Sequence, residues 1–313
     1  MQAQLDRQRV AILIPAHCKP KVLKLSVGTW LEIYDGSYDA EIRIGIHSNY
    51  GHYCDRVDDI LSMAERSAGA ISVHYVNEID WGQFGILRYS RMHAESMVML
   101  LSSIQESSFT HVAMLDHDLR FKSDFIKWAM GRGADWVFSL FDDAWNARFV
   151  GTAMGRIMFV PKPSVYHMVF NRKMFDFLIR DFRVIYPVQC ENTMLDTFSQ
   201  VYNLAKTTWG LMLDVRTMAE ISAMVDHLWS LSFNFGLMEA RSKTGSEEDA
   251  VRLHEKKVSD AESEYDRRFP DGIDHLLEKI SGVCCLCSDA CDRSGVASSP
   301  VGTLRVWDGR RVG

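Results

Sequence analysis

Short apolar runs alternate with longer amphipathic segments over the first 118 residues, and this alternation constrains the fold more than any other feature. Residues 10–14 read Val-Ala-Ile-Leu-Ile and stop at Pro15, which is typical of a strand buried on both faces. Further strands are predicted at residues 41–46, which alternate and then run apolar, and at 70–76 and 111–115, with helices between them at 22–34, 58–68 and 86–105. The pattern predicts an α/β protein with a mixed, mainly parallel sheet flanked by helices.

The second half of the chain is less regular. Strands are predicted at residues 135–140 and 157–160. Helix-capping residues are predicted at Asn171, Asn192 and Ser246, and the last of these opens a charged helix.

The composition is that of a soluble globular protein, with 47% hydrophobic and 24% charged residues among 313. The formal net charge of −6 argues against a surface that is basic throughout, as nucleic-acid binding would favour. No apolar run reaches the roughly 18 residues that span a bilayer, and the first ten residues lack the apolar core of a signal peptide. A cytoplasmic location is therefore expected.

Four of the seven cysteines cluster near the end of the chain, at Cys284, Cys285, Cys287 and Cys291. Structural zinc sites use paired knuckles, and this cluster has no matching second half. Uninvolved thiols in a flexible tail are the favoured interpretation, with zinc binding as the alternative.

The triplet Asp116-His117-Asp118 directly follows the predicted strand at residues 111–115. In an extended segment, residues two apart point to the same side, so both carboxylates can converge on one point. Carboxylates held that close repel unless a cation or a proton lies between them, and hard oxygen ligands suit Mg²⁺ or Mn²⁺. The alternative is a solvated acidic turn, but the buried strand before the triplet favours a metal site.

A helix and a glycine-containing segment precede this triplet. Arg88 and Arg91 lie three apart on the predicted helix, and an arginine fork suits a diphosphate. Gln83 lies in the segment 80–85, whose glycines permit close approach of backbone to a ligand. A solvated basic face and a plain loop are the respective alternatives.

The order of these features resembles the donor half of inverting GT-A glycosyltransferases, the large family-two type. The resemblance lies in residues 85–118, an arginine-bearing helix followed by an apolar strand and D-x-D, and in the opening strand at residues 10–17. It covers roughly residues 8–235 and implies a GT-A-like fold, that of nucleotide-diphospho-sugar transferases.

In that family the aspartates of D-x-D hold a divalent metal on the donor diphosphate, and the end of the first strand contacts the nucleoside. The resemblance thus implies Asp116 and Asp118 as ligands of Mn²⁺ or Mg²⁺. Where the family often has an acidic residue after its second strand, this chain has residues 47–49, His-Ser-Asn. The expected donor-binding residues are Pro15, His17, His47, Asn49, Gln83, Arg88, Arg91 and Asp116.

The resemblance also implies an acidic residue that deprotonates the acceptor hydroxyl, because an alcohol that keeps its proton is a poor nucleophile. Glu191 is the first candidate and Asp196 the second; a helix-capping carboxylate or a surface charge is the alternative. Asp142, Asp143 and Trp145 are candidate acceptor-binding residues. The alternative is that this segment forms a turn.

His227 lies in an otherwise apolar segment, residues 224–235. Many metal-dependent GT-A enzymes recruit a late histidine as a third protein ligand, and imidazole can complete a Mn²⁺ site left open by carboxylates. A hydrogen-bonded core histidine is the alternative interpretation.

With these features, the resemblance implies a metal-dependent glycosyltransferase of the hexosyltransferase class. It would transfer a sugar from a nucleotide-diphosphate donor, most readily a UDP-sugar, to an acceptor hydroxyl with inversion. The acceptor could be a glycan, a small molecule, a protein or a modified nucleobase. A sugar-nucleotide pyrophosphorylase and a non-catalytic nucleotide-sugar-binding protein are the alternatives.

The expected organisation is a catalytic domain over residues 1–235, with a donor half at 1–120 and an acceptor half at 121–235. A C-terminal helical extension at 236–280 and the cysteine-containing tail at 281–313 follow.

Overall fold

The structure, a computed structural model, describes most of the chain. The described residues are 7–16, 19–47, 57–76, 88–140, 158–159, 163–164, 167–190, 193–195, 197–228, 246–281 and 306–307.

Strands and helices are labelled in chain order within these residues. The strands are β1 Arg9–Ala16, β2 Asp39–His47, β3 Ile71–Val76, β4 His111–Leu115, β5 Leu119–Phe121, β6 Trp136–Ser139, β7 Met158–Phe159, β8 His167–Asn171, β9 Val188–Cys190, β10 Thr193–Leu195, β11 Leu213–Arg216, β12 Val225–His227 and β13 Val306–Trp307. The helices are α1 Pro20–Ile33, α2 Val57–Arg66, α3 Arg88–Ser103, α4 Phe125–Met130, α5 Arg172–Leu178, α6 Ser199–Thr207, α7 Met218–Ser222, α8 Glu247–Arg268 and α9 Asp274–Ser281.

A mixed, mainly parallel sheet forms the centre of the described fold. Its strand order is β11-β6-β8-β4-β1-β2-β3-β13. Neighbouring strands are parallel except at β8, which runs antiparallel to both β4 and β6. The predicted fold class is therefore confirmed.

Strand β1 shows why the sheet is covered on both faces. Val10, Ile12 and Ile14 face one apolar cluster, which contains α1, α2, α4, α8 and α9 residues. Ala11 and Leu13 face the other cluster, which contains residues of α3, α5 and α6. Because successive side chains of a strand point to opposite faces, only a run without polar residues suits this position.

Two of the predicted helix caps are confirmed. The Asn171 side chain accepts a hydrogen bond from the Met174 backbone N–H at the start of α5. Ser246 caps α8 in the same way, accepting from the Asp249 backbone N–H. Each cap satisfies an N–H group that a helix leaves without an internal partner.

The predicted helix starting after Asn192 is wrong. Residues 193–195 form β10, which pairs with β7 and β9, and α6 begins only at Ser199. Phe198 precedes α6 with a φ of 66°, a left-handed conformation that interrupts any helix. Leu195, Phe198, Tyr202 and Ala205 are spaced as on one face of a helix, but Phe198 and Ala205 are buried by tertiary contacts in the cluster that contains α3, which local periodicity does not reveal.

The C-terminal helices pack against α1. Val258, Ala261 and Tyr265 of α8 are buried in the same apolar cluster as α1. Lys279 of α9 donates to the carbonyl oxygens of Leu31 and Glu32 at the end of α1. A cation there offsets the partial negative charge of a helix C-terminus.

Close packing at Gly28 makes the contact between α1 and the C-terminal segment sensitive to substitution. A Cβ at position 28 would lie 2.8 Å from the Phe269 ring and 2.9 Å from the Ile273 side chain. We expect Gly28→Leu to lower the free energy of unfolding by about 1–3 kcal/mol, the usual cost of overpacking. Thermal unfolding checks this, with Gly131→Ala as the control because a Cβ at that exposed position meets only backbone oxygens at 3.4 Å or more. Equal unfolding temperatures for the two variants would contradict it.

No helix within the described ranges is long and apolar enough to cross a membrane.

Candidate metal centre

The acidic triplet lies where β4 ends and β5 begins. Residues 117 and 118 form a turn, not the extended segment expected from the sequence, so the two carboxylates converge through the turn. Strand β12 runs antiparallel to β5, with His227 opposite Leu119. The Leu228 backbone N–H also donates to the Asp118 carbonyl oxygen at 2.9 Å. This pairing places His227 beside the triplet, although it lies more than a hundred positions later in the chain.

Asp116, Asp118 and His227 offer one ligand atom each, and these atoms lie within 4.8 Å of one another. His227 Nε2 is 3.0 Å from Asp118 Oδ1 and 3.8 Å from Asp116 Oδ2. The side chains are 10%, 2% and 6% exposed for Asp116, Asp118 and His227, so the cluster is shielded from bulk water. The structure therefore brings together all three residues that the sequence predicted as metal ligands.

Asp116 is ionised in this environment. Burial raises the pKa of Asp116, but the hydrogen bond from His117 and the nearby rings of His227 and His93 outweigh burial. The pKa of this carboxyl consequently lies well below its ordinary value.

The pKa of His227 shifts in the opposite direction to that of Asp116. Burial lowers its pKa, but the negative charges of Asp118 and Asp116 outweigh burial and raise the pKa to about 10. A proton on Nε2 therefore neutralises part of the charge of the two aspartates when no metal binds. Metal binding requires that proton to leave, so a cation competes with it for the same atoms.

The three side chains fit a divalent cation. Two carboxylate oxygens and one imidazole nitrogen suit Mn²⁺ well and Mg²⁺ less well, because Mg²⁺ prefers oxygen ligands. Three protein ligands leave positions open for phosphate oxygens, a common arrangement for metals that bind nucleotides.

Two further histidines lie near the cluster, and sequence analysis did not single them out for this role. The charge of His93 on α3 acts on Asp116. His167 of β8 pairs with Leu115 of β4, and its Nε2 lies 2.9 Å from Ser139 Oγ. Burial, and then the charge on His227, lowers the pKa of His167 to about 3, so it is neutral near pH 7. No local signal marks His167, because only the antiparallel pairing of β8 with β4 brings it here.

An ion-pair network links β12 to the C-terminal helix. Arg120 of β5 donates to Asp226 Oδ2 at 2.7 Å and to both carboxylate oxygens of Glu264 on α8, at 3.0 and 2.9 Å. Lys122 lies 2.5 Å from the other Asp226 oxygen. Because Asp226 directly precedes His227, the network fixes the strand that carries the third candidate ligand.

Arg120→Ala should therefore weaken Mn²⁺ binding through the position of β12. We expect a loss of several-fold, below the roughly 10–100-fold that follows removal of a group bonded to a ligand itself. Calorimetric Mn²⁺ titration checks this. Arg132→Ala is the matched control, because Arg132 makes a comparable 2.7 Å pair with Asp214 in a separate network. Equal affinities in the two variants would contradict the role given to Arg120.

Arg91, a predicted donor-binding residue, makes contacts within α3 and with residue 186. Its guanidinium carbon lies 3.8 Å from the centre of the Tyr186 ring, and its Nε lies 3.4 Å from Glu95 Oε1. The Tyr186 hydroxyl donates to the other Glu95 oxygen at 2.8 Å. Pro15 is buried near the end of β1, paired with Gly45 of β2.

The other predicted site residues lie wholly or partly outside the described residues. For His47 and Arg88 the backbone is described, within β2 and α3, but the side chains are not. Those wholly outside are His17, Asn49, Gln83, Asp142, Asp143, Trp145, Glu191, Asp196 and the four clustered cysteines. Their roles stay predictions.

The sequence matches no protein-family model and no curated protein. Solved structures with a similar fold include a mannosyltransferase from Pyrobaculum calidifontis in complex with GDP-Man and Mn²⁺, at 12% identity and a TM-score of 0.43, covering 89% of this chain and 74% of that one. Another is glucosyl-3-phosphoglycerate synthase from Mycobacterium tuberculosis in complex with Mn²⁺, UDP and phosphoglyceric acid, at 12% identity and a TM-score of 0.36, covering 70% of this chain and 75% of that one. Because both TM-scores are low, any functional proposal must rest on the geometry of the site itself.

Proposed function

We propose that this protein is a metal-dependent glycosyltransferase that transfers a sugar from a nucleotide-diphosphate donor to an acceptor hydroxyl, with inversion. The observation that supports it most is the cluster of Asp116, Asp118 and His227 at the carboxyl end of β4. That end of a parallel strand is where α/β sheets bind nucleotides. A buried set of two carboxylates and one imidazole suits a cation that in turn binds a diphosphate.

Asp116, Asp118 and His227 would hold Mn²⁺ or Mg²⁺ in the proposed reaction. When bound, the cation neutralises charge that develops on the leaving diphosphate. Arg88 and Arg91 are the proposed partners of diphosphate oxygens; Arg91 would reach them from its stacked position on Tyr186. Glu191 is the proposed base that takes the acceptor proton as the hydroxyl attacks the anomeric carbon, with Asp196 as the second candidate.

Roles are also proposed for the two halves of the catalytic domain and for the other predicted site residues. Residues 1–120 would form the donor half of the catalytic domain and residues 121–235 the acceptor half, with His227 reaching back to the donor metal. Pro15, His17, His47, Asn49 and Gln83 are proposed to contact the nucleotide. Asp142, Asp143 and Trp145 are proposed to contact the acceptor. We propose a UDP-hexose as the donor and the cytoplasm as the place of action.

A donor panel tests the proposal. Calorimetric titration with UDP, GDP, CDP and ADP in the presence of Mn²⁺ should give one preferred nucleotide, and the matching nucleotide sugar should be slowly hydrolysed. Hydrolysis should stop on addition of a chelator and return with excess Mn²⁺. Nucleotide binding without any hydrolysis or transfer would favour the non-catalytic alternative, and pyrophosphate-dependent release of a nucleoside triphosphate would favour the pyrophosphorylase.

A further inference from the structure

We infer that His117, the middle residue of the triplet, is a positioning residue that determines which carboxylate oxygen of Asp116 faces the cation. This inference rests on the metal centre of the proposed function. It concerns a residue that the D-x-D motif leaves unspecified, and for which sequence analysis gave no role.

The two carboxylate oxygens of Asp116 have different surroundings. Oδ1 accepts a hydrogen bond from the His117 backbone N–H at 2.9 Å. The same oxygen lies 2.9 Å from Nδ1 of the His117 ring. Oδ2, in contrast, is the oxygen on the side of His227, 3.8 Å from its Nε2. The carboxylate is thus held by one oxygen, and its other oxygen is directed toward the cluster.

The chemistry of the pair determines the direction of the ring hydrogen bond. An ionised carboxylate only accepts hydrogen bonds, so Nδ1 of His117 must carry the hydrogen. The ring is fully buried, with 0% exposure for the residue, and a bond between a charged acceptor and a donor in that setting is strong. Asp116 would lose this restraint on its χ2 rotation if the ring donor were removed.

A rotated Asp116 would present a mixture of orientations to the cation. Outer groups that orient a ligand typically change metal affinity by about 10–100-fold when removed. The backbone N–H of His117 would still donate to Asp116 in any variant, so the loss comes from the ring donor. The expected effect on affinity therefore lies within that interval, below complete loss.

Two substitutions of His117 distinguish a positioning role of its ring from a role that only fills space. Asparagine carries an amide nitrogen as many bonds from Cα as Nδ1 of histidine, so His117→Asn retains a donor near Asp116 Oδ1. Glutamine carries its amide nitrogen one bond further out, near the place of Nε2, so His117→Gln fills more of the ring volume but lacks that donor. If His117 only filled space, the smaller asparagine would be the more damaging replacement, because it leaves the larger cavity.

Mn²⁺ is titrated into the wild-type protein, His117→Asn and His117→Gln, and binding is measured by calorimetry and by the electron paramagnetic resonance signal of free Mn²⁺. Thermal unfolding of the same three proteins measures their stability. We expect Mn²⁺ affinity to fall about 10–100-fold in His117→Gln and much less in His117→Asn. The unfolding temperature of His117→Gln should be equal to or higher than that of His117→Asn. This result would support the inference even if no sugar transfer were detected, because it needs only the metal site.

Three results would overturn it. Wild-type affinity in His117→Gln would remove the positioning role while leaving the proposed function intact. The same conclusion would follow if Mn²⁺ affinities simply tracked the unfolding temperatures. If the wild-type protein bound no Mn²⁺ at all, the inference and the proposed metal centre would fail together.

Discussion

Asp118→Asn is expected to abolish Mn²⁺ binding at micromolar concentration and to lower sugar transfer by more than about 100-fold. Loss of an orienting partner typically costs about 10–100-fold in metal affinity or activity, and loss of a ligand should cost more. Asparagine has nearly the same shape, so packing around residue 118, which is 2% exposed, is kept. The substitution removes the carboxylate charge that lies 3.0 Å from His227 Nε2.

Calorimetry and a transfer assay measure these two effects, with Asp260→Asn as the matched control. Asp260 is an exposed aspartate of α8 whose partner is Lys256 at 2.6 Å, in a surface ion pair that contributes little to stability. The control should bind Mn²⁺ like the wild-type protein. Undiminished transfer by Asp118→Asn in the presence of a chelator would contradict the proposed mechanism.

His227→Gln is expected to change the preference between metals as well as the affinity. Imidazole favours Mn²⁺ over Mg²⁺, which prefers oxygen ligands, so its removal should weaken Mn²⁺ binding by about tenfold or more and Mg²⁺ binding much less. The ratio of the two affinities is therefore the diagnostic quantity. Parallel titrations with Mn²⁺ and Mg²⁺ measure it.

His275→Gln, at an exposed position of α9, is the control for His227→Gln. It should leave both affinities unchanged. If His227→Gln also left the ratio and both affinities unchanged, His227 would be a buried partner of Asp118 and not a ligand. The metal centre would then consist of the two aspartates and water.

The parallel half of the sheet could be predicted from sequence because its signals are local. Strands β1 and β4 are apolar after their first residue, strands β2 and β3 alternate apolar with polar residues, and each helix between them shows apolar residues at helical spacing. An apolar run that is buried on both faces, or a strict alternation, leaves a short segment little choice of structure. The same logic failed at residues 193–195, where pairing with β7 and β9 outweighed a helical pattern.

The candidate metal centre could be predicted only in part. Asp116 and Asp118 were identifiable because two carboxylates follow a buried strand, although their convergence arises from a turn. His227 could be named as a candidate, but its place depends on the pairing of β12 with β5, a contact between segments more than a hundred residues apart. The network of Arg120, Asp226 and Glu264 had no sequence signal, since any of these charges could equally lie on a solvated surface.

The roles of the histidines around the cluster show the same limit. His117 lies within the predicted motif, yet only the 2.9 Å distance from its ring to Asp116 Oδ1 indicates what it does. His167 comes from a strand that runs antiparallel to β4, and its neutral state follows from burial beside a charged neighbour. Protonation and hydrogen bonding depend on surroundings that the order of residues does not specify.

Asp116, Asp118 and His227 are proposed to hold the divalent cation that binds a nucleotide diphosphate. The decisive experiment is titration of Mn²⁺ into the wild-type protein and into the Asp116→Asn/Asp118→Asn double variant, each with and without UDP. We predict one Mn²⁺ site in the wild-type protein, tighter binding when UDP is present, and no binding at this site in the double variant. Equal Mn²⁺ binding by the two proteins, or a wild-type affinity for Mn²⁺ that UDP does not change, would show that these three residues do not form such a site.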